Sequence, residues 1–196
     1  NAGGAAYTDS LGQAWSADTK FSGGKTFATT AAIAGTTDDV LYQTERYGNF
    51  AYAIPVANGT YEVTLHFAEV YWDAAGKRVF DVTAEGQLVL DNLDIYALVG
   101  KNTALTRTVS VTVNDGTLNL GFVTVVNNAK VSAIQVVSDS TPNDQAPTIT
   151  TQPANQSVTV AQTASFSVVA SGSAPLAYQW QTTPPGGTTW QDIGGA

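Results

Sequence analysis

The sequence predicts an all-β protein, a sandwich or jelly roll, and three observations support this prediction. Short segments of alternating apolar and polar residues follow one another along most of the chain, with turn residues between them. No long stretch has the apolar spacing of a helix. The 196 residues are 43% hydrophobic and only 12% charged, so a core can form beneath a surface rich in hydroxyl and amide groups.

The clearest predicted strand runs from Thr60 to Phe67, where apolar and polar residues alternate as in a half-buried strand. The segment Phe50–Ile54 precedes it, and Asn58-Gly59 between them predicts a hairpin turn. The other predicted strands of this region are rich in β-branched and apolar residues and are bounded by turn signals: Val79–Thr83, Gln87–Leu90, Leu105–Val113, Leu118–Val125 and Val131–Val137.

The composition changes at Ser138–Pro147, a polar stretch with two prolines that predicts an inter-domain linker. Four strands are predicted after it: Thr148–Pro153, Gln156–Val160, Thr163–Ser171 and Leu176–Gln181. With Trp180 in the position of a buried sandwich tryptophan, this region resembles the first half of a bacterial immunoglobulin-like domain without cysteines. About 50 residues are too few for a complete domain of about 85 to 100. We therefore expect a longer parent protein, and an unpaired strand edge through which the half domain could dimerise.

The charge of the chain excludes several classes of partner. Sixteen acidic residues stand against eight basic ones, a net charge of −8, which argues against binding to nucleic acid or to an anionic membrane. There is no cysteine and one histidine, so disulfides, thiol nucleophiles and multi-histidine metal centres are excluded. No apolar run approaches the roughly 20 residues that span a bilayer.

The sequence also gives little support to catalysis. A glycosidase needs two carboxyl groups facing each other across a cleft. The candidates are Glu45, Glu69, Asp73 and Asp81, but no spacing pairs them. Nucleophile elbows, phosphate loops and dinucleotide fingerprints are absent. The sequence therefore favours a protein that is not an enzyme.

Six motifs in the first region occur in the order found in the malectin family, which this region resembles: Asn1-Ala-Gly-Gly4, Asp39–Tyr47, Leu65–Trp72, Lys77–Val82, Leu93–Tyr96 and Asn128–Ile134. The resemblance implies a jelly-roll β-sandwich that binds glucose-containing saccharides without cleaving them. It divides the chain into a malectin-like module at 1–137, a linker at 138–147 and a partial immunoglobulin-like domain at 148–196. We expect an accessory module of a secreted or cell-surface bacterial protein that acts on polysaccharides.

The resemblance also implies site residues. The family's ligand-binding aromatic residues match Tyr47, Tyr71 and Trp72, and a further family tyrosine falls near Phe27. The family's acidic residue falls at Asn127, which replaces a charged acceptor by an amide with one acceptor and two donors. An aromatic ring offers flat apolar area to the C–H face of a pyranose. Tyr71 and Trp72 are adjacent, so both reach one ligand only if the chain bends there.

Two polar neighbours complete the predicted ligand-binding set. Glu69 lies beside the aromatic pair and is expected to orient it by a hydrogen bond. Arg46, like its neighbour Glu45, is expected either to hold its loop or to contact the sugar. Loop carboxylates could hold a structural calcium ion, although no calcium-loop spacing is present: Asp38, Asp39, Asp91 and Asp94. No other cofactor is expected.

A structural or adhesive spacer with no sugar site is the alternative. It requires Tyr47, Tyr71 and Trp72 to be packed beneath loops, whereas carbohydrate binding requires them to be exposed together.

Overall fold

The computed structural model describes residues 1–139, 146–173 and 175–194. The chain forms two compact units, Asn1–Asp139 and Ser140–Ala196. Most of the predicted linker lies outside the described residues. No helix within the described ranges is long and apolar enough to cross a membrane.

The first unit consists almost entirely of strands, with two short helices. In chain order its elements are β1 (Tyr7–Thr8), β2 (Ala14–Trp15), β3 (Phe21–Ala28), α1 (Asp39–Tyr42), β4 (Thr44–Pro55), β5 (Gly59–Ala68), β6 (Val79–Ala84), β7 (Gln87–Leu93), α2 (Ile95–Val99), β8 (Ala104–Val113), β9 (Thr117–Val126), β10 (Ala129–Val131) and β11 (Ala133–Ser138).

Two antiparallel sheets pack face to face. The larger sheet has the order β10-β4-β9-β6-β7, with β3 also paired to β4, and the smaller has the order β11-β5-β8. Their apolar faces enclose one core, in which Phe50 stacks on Phe122 with ring centroids 4.5 Å apart. Phe67 of the smaller sheet meets Phe80 of the larger at 5.8 Å. The predicted all-β sandwich is confirmed.

The predicted strands of the first unit are present, but the connection at Asn58-Gly59 is not a hairpin. It joins β4 of the larger sheet to β5 of the smaller sheet. The turn at Asn114–Gly116 returns the chain from β8 of the smaller sheet to β9 of the larger sheet. The side chain of Asn58 links the two crossings. Its Nδ2 donates to the carbonyl of Asn114 at 2.9 Å, and its Oδ1 accepts from the backbone N–H of Gly116 at 2.8 Å.

The predicted strand Val131–Val137 is two strands that meet at Ser132. On one side of that residue β10 pairs with β4, and on the other β11 pairs with β5, so the chain changes sheets there. The alternation pattern did not predict β3, because every residue of that strand is exposed.

The second unit contains β12 (Thr148–Thr151), β13 (Val169–Ser171), β14 (Gln181–Thr182) and β15 (Gln191–Asp192). β12 pairs with β13, and β14 pairs with β15. The predicted strand Gln156–Val160 is wrong, since no strand is present there. The predicted strands Thr163–Ser171 and Leu176–Gln181 are largely wrong, since they are strand only at Val169–Ser171 and at Gln181. Trp180 is half-buried, and its ring lies 6.4 Å from that of the exposed Phe166. The resemblance to an immunoglobulin-like domain stays a prediction.

Candidate functional site

An aromatic-lined cavity of about 280 Å³ is built by four separate segments of the first unit. They are β3, the start of β4, the segment between β5 and β6, and the turn between β9 and β10. We call it the aromatic cavity, and it is lined by Phe27, Glu45, Tyr47, Tyr71, Trp72, Arg78, Asn127 and Asn128. Five of the seven predicted ligand-binding residues are thus brought together: Phe27, Tyr47, Tyr71, Trp72 and Asn127.

Strand geometry positions one side of the cavity. Glu45 and Tyr47 are two residues apart on β4, so their side chains point to the same face of the sheet. Phe27 on β3 is the register partner of Glu45, and Lys130 on β10 is the register partner of Tyr47. Because register partners share a face, all four side chains lie on one side of the larger sheet.

The carboxylate of Glu69 folds the loop that carries the other aromatic residues. Its Oε1 accepts from the backbone N–H groups of both Tyr71 and Trp72, each at 3.0 Å. This turn lets two adjacent residues line the same cavity, which an extended strand would prevent. The rings of Tyr71 and Trp72 meet edge to face at 4.9 Å, and the ring of Phe27 meets Tyr71 at 6.4 Å.

Exposure of the rings is graded across the cavity. Tyr71 is 59% exposed, Phe27 is exposed, and Tyr47 and Trp72 are half-buried. Carbohydrate binding requires Tyr47, Tyr71 and Trp72 to be accessible together, whereas the spacer alternative requires them to be packed beneath loops. All three line one accessible cavity. This arrangement favours a binding site over a spacer with buried rings.

Four buried charged residues form one cluster: Glu45, Glu69, Arg78 and Lys130. Two of them, Glu45 and Arg78, line the cavity. The Nε of Arg78 donates to Oε2 of Glu69 at 2.6 Å, and its Nη1 donates to the carbonyl of Asn128 at 2.7 Å. The Nζ of Lys130 donates to Oε2 of Glu45 and to the carbonyl of Ala68. The two acids and two bases balance, so the cluster has no net charge.

The buried charges change each other's proton affinity. Burial alone would raise the pKa of Glu69, but Lys130, Arg78 and the hydrogen bonds to its carboxylate outweigh burial and hold that pKa below its ordinary value. Burial lowers the pKa of Lys130, and the neighbouring Glu45 and Glu69 oppose that shift. The cluster thus holds the Glu69 carboxylate ionised, as its contacts with two backbone N–H groups require.

Two atoms of this cluster are left without a hydrogen bond. In the part of the chain that the structure describes, neither Oε1 of Glu45 nor Nη2 of Arg78 has a protein partner. Glu45 is 3% exposed and Arg78 is 5% exposed, yet both line the cavity. The base of the cavity therefore combines a free acceptor with a free donor.

Asn127 lies at the rim, in the left-handed backbone region with a φ of 61°. Asparagine tolerates this conformation better than most residues. Its Oδ1 accepts from the backbone N–H and from Nδ2 of Asn128, both at 3.0 Å, which fixes the loop between β9 and β10.

The structure does not bring Arg46 to the cavity. Because side chains alternate along β4, Arg46 points away from Glu45 and Tyr47. Its Nη2 pairs with Asp18 at 2.7 Å, its Nη1 donates to the carbonyl of Gly23, and its guanidinium lies 3.3 Å from the ring centroid of Phe21. Glu69 does not line the cavity either, and it acts through the loop described above.

The loop carboxylates considered for calcium have partners within the protein. Asp38 accepts from the hydroxyl of Tyr7 and from Ser10, and Asp94 caps α2 through Ala97. Among the described residues no group of three or more His, Cys, Asp or Glu side chains could hold a metal ion.

Three lining residues were missed or undervalued by the sequence interpretation: Glu45, Arg78 and Asn128. The period of two along β4 places Glu45 on the face of Tyr47, so that signal was available. Arg78 had none, because its position depends on an ion pair with Glu69, nine residues away.

A larger groove of about 570 Å³ lies over β3, β4, β9 and β6. Small residues such as Ala51 and Gly121 line it, and none of its lining residues is a buried charged one. Of its two aromatic lining residues Tyr52 is buried and Phe21 is exposed, whereas four rings line the aromatic cavity.

Comparison with known proteins identifies the first unit. The family described as the Malectin domain matches residues 1–150. Malectin-B of Xenopus laevis is 41% identical over 86 residues, covering 42% of this chain and 31% of that protein. Malectin of Homo sapiens is 40% identical over 86 residues, covering 42% of this chain and 30% of that protein. The chain thus spans about 30% of the length of these curated relatives.

Solved structures agree on the fold. A β-glucuronidase of Bacteroides uniformis superposes with a TM-score of 0.64 at 20% identity, over 70% of this chain and 17% of that chain. The ANXUR2 extracellular domain of Arabidopsis thaliana gives a TM-score of 0.63 at 18% identity, over 69% of this chain and 46% of that chain. At these identities the likeness supports the fold alone.

Proposed function

This chain belongs to the malectin domain family, and from that premise we propose that it is a non-catalytic module that binds glucose-containing oligo- or polysaccharides. The observation that carries the proposal is the aromatic cavity itself. Four aromatic rings from three chain segments line one accessible cavity whose base presents polar atoms.

Each part of the cavity suits a sugar. The faces of Tyr47, Tyr71, Trp72 and Phe27 offer apolar area to the C–H groups of a pyranose at small cost in side-chain entropy. Asn127 and Asn128 offer amide groups at the rim for hydroxyls. The cavity is small and partly open, so we expect single-site dissociation constants on the order of micromolar to millimolar.

We also propose an extracellular location and an accessory role in a larger polysaccharide-active protein, where neighbouring modules would raise avidity. The extracellular location is suggested by the composition, which has only 12% charged residues and is rich in hydroxyl and amide side chains. A bacterial origin stays a prediction, since the curated relatives named above come from animals. Dimerisation through the second unit likewise stays a prediction.

Affinity gel electrophoresis tests the binding proposal. The protein is run through soluble α-glucans, β-glucans, xyloglucan and mannan beside the double variant Tyr71→Ala, Trp72→Ala. We expect one glucan to retard the native chain and not the variant, because the variant lacks two stacking surfaces.

The matched control is the double variant Tyr178→Ala, Trp190→Ala, which removes the same two ring types from exposed positions in the second unit. It should migrate like the native chain in every gel. If no polysaccharide retards the native chain, the binding proposal fails and the spacer alternative gains support.

A further inference from the structure

The most specific feature of the aromatic cavity is the pair of free polar atoms at its base. Glu45 and Arg78 are each more than nine-tenths buried, and each is held by one ion pair. Neither free atom is among the buried unpartnered atoms of the described residues, so water can reach both of them through the cavity. A ligand that binds them replaces this water with its own donor and acceptor groups.

The two atoms have opposite requirements. The carboxylate Oε1 of Glu45 only accepts hydrogen bonds, and the guanidinium Nη2 of Arg78 only donates them. A sugar hydroxyl does both, so one hydroxyl can donate to Glu45 while another accepts from Arg78. Carboxylates and guanidinium groups also form stronger hydrogen bonds than neutral groups do.

The charge balance limits the ligand further. Glu45, Glu69, Arg78 and Lys130 sum to zero, and the rim position Asn127 is neutral. An anionic sugar would gain no net attraction from this cluster, because the carboxylate of Glu45 would repel it while the guanidinium of Arg78 attracts it. The cavity volume of about 280 Å³ is just below the usual range of small-molecule sites, about 300 to 1,000 Å³, so the cavity suits a single sugar ring.

We propose that Glu45 and Arg78 determine specificity at this site by binding two free hydroxyls of one uncharged sugar ring, whose faces contact the surrounding aromatic side chains. This inference rests on the proposed function. It adds that the site selects sugars by which hydroxyls are unsubstituted, and that it rejects ring substituents bearing a carboxylate.

The test couples changes in the protein to changes in the sugar. The probes are methyl α-D-glucopyranoside and its β anomer, their monodeoxy analogues, and methyl glucuronosides, titrated by NMR at millimolar concentration. For the native chain we expect at least one deoxy analogue to bind about tenfold more weakly than its parent, since a hydrogen bond to a charged group is lost. Glucuronosides should bind at least as weakly as that analogue.

The protein variants are Glu45→Gln and Arg78→Lys, with Glu62→Gln and Arg107→Lys as controls on strands of the smaller sheet. In Glu45→Gln or Arg78→Lys the tenfold difference between parent and deoxy sugar should shrink to less than about threefold. In both controls it should stay tenfold. A merely structural role would weaken parent and deoxy sugars alike, so this coupling separates the two roles.

The outcomes are distinguishable even if a buried-charge variant does not fold. The deoxy series on the native chain needs no variant, and equal affinity for parent and all deoxy analogues would overturn the inference. The same conclusion would follow if folded variants kept the native deoxy penalty. If the native chain bound no glucoside and no glucan, the proposed function itself would fail.

Discussion

Glu45 and Arg46 are adjacent on β4, both are buried, and both form ion pairs, yet they serve two different regions of the molecule. Glu45 faces the aromatic cavity together with Tyr47. Arg46 faces the other way, toward Asp18. The difference between the two regions lies in how completely their polar atoms are bonded.

The region around Arg46 has no unused hydrogen-bonding atom in its ion pair, and we call it the closed region. Oδ2 of Asp18 accepts from Gly3 N–H at 2.8 Å and from Arg46 at 2.7 and 3.0 Å, and its Oδ1 accepts from the hydroxyl of Tyr52 at 2.7 Å. Gly3 fits only because it lacks a side chain, since a Cβ there would lie 2.2 Å from the carbonyl oxygen of Glu45. Every polar atom of this ion pair has a partner, so the region fixes the fold and offers nothing to a ligand.

The region around Glu45 has unused hydrogen-bonding atoms beside the aromatic cavity, and we call it the open region. The Glu45–Lys130 and Glu69–Arg78 pairs satisfy only part of their polar atoms, and the residues with the remaining acceptor and donor, Glu45 and Arg78, line the same cavity as the aromatic rings. A buried ion pair is therefore not in itself a sign of function. The unused atoms beside an accessible cavity distinguish the proposed binding region from the structural one.

The largest expected effect concerns the closed region. Arg46→Ala leaves Asp18 as a buried, unpaired carboxylate, and removing one partner of such a pair costs about 3–5 kcal/mol. We expect the free energy of unfolding to fall by that amount in urea denaturation, while the affinity of the folded protein for its glucan changes less than twofold.

Arg107→Ala is the control for this experiment, because Arg107 is half-buried on β8 and, among the described residues, its side chain donates only to the carbonyl of its neighbour Thr106. It should lower the free energy of unfolding by less than about 1 kcal/mol. A folded Arg46→Ala protein that had native stability but no longer bound glucan would contradict the assignment of Arg46 to a purely structural region.

The second effect concerns the open region. Tyr47→Ala removes a half-buried ring from the cavity, and we expect affinity for the glucan identified by electrophoresis to fall about tenfold or more. Tyr96→Ala, which removes a half-buried ring from α2, should leave affinity unchanged. Isothermal titration calorimetry on both variants measures this, and equal losses in the two would contradict the assignment of Tyr47.

The sequence predicted the sandwich and the aromatic residues more completely than the polar ones. Alternation along β5 is a local pattern, so it located that strand, and the family motifs located Tyr47, Tyr71 and Trp72. Arg46 was expected at the site because it belongs to the same motif as Tyr47. The period of two along β4 turns it to the opposite face.

The features that the sequence did not predict depend on contacts between residues far apart in the chain. The sheet change at Ser132 and the crossings held by Asn58 follow from packing two sheets together, and neither leaves a local pattern. The role of Arg78 follows from an ion pair with Glu69, whose own position depends on the turn at Tyr71 and Trp72. Polar networks of this kind are three-dimensional facts that spacing alone does not predict.

The third expected effect concerns the pH dependence of the free energy of unfolding, to which Glu69 of the open region contributes. The pKa of Glu69 is lowered in the folded protein, so its contribution to stability is present above the unfolded pKa of about 4.3 and is lost as the pH falls through the folded value. In Glu69→Gln we expect a free energy of unfolding about 1–2 kcal/mol lower at pH 7 and a smaller further loss between pH 5 and pH 3 than in the native chain.

His66 provides an internal reference for that experiment. Burial lowers the pKa of His66 to about 4, so the unfolded chain binds a proton near pH 6.5 before the folded chain does, and stability falls between about pH 6.5 and pH 4. Both proteins should share this part of the profile. Urea denaturation from pH 7 to pH 3 would contradict the prediction if the two profiles remained parallel below pH 5.

The smallest expected effect concerns affinity for the sugar, and whether a change at the rim of the aromatic cavity can raise it. Asn127 has a neutral amide where the resemblance to the family implies an acid, and its Oδ1 already accepts two hydrogen bonds from Asn128. An aspartate tolerates the same left-handed backbone and can keep both bonds through one oxygen. Its second oxygen then adds a charged acceptor at the rim, and charged hydrogen bonds are stronger than neutral ones.

We therefore expect Asn127→Asp to raise affinity for an uncharged glucan about two- to fivefold, because the rim is exposed and water competes for the new acceptor. It should also increase discrimination against glucuronosides, since a second carboxylate then faces the ligand. Asn114→Asp, in the turn between β8 and β9, is the control for the added charge. Equal affinities in Asn127→Asp and the native chain would mean that the rim does not contact the sugar, and that selectivity resides at the base, with Glu45 and Arg78.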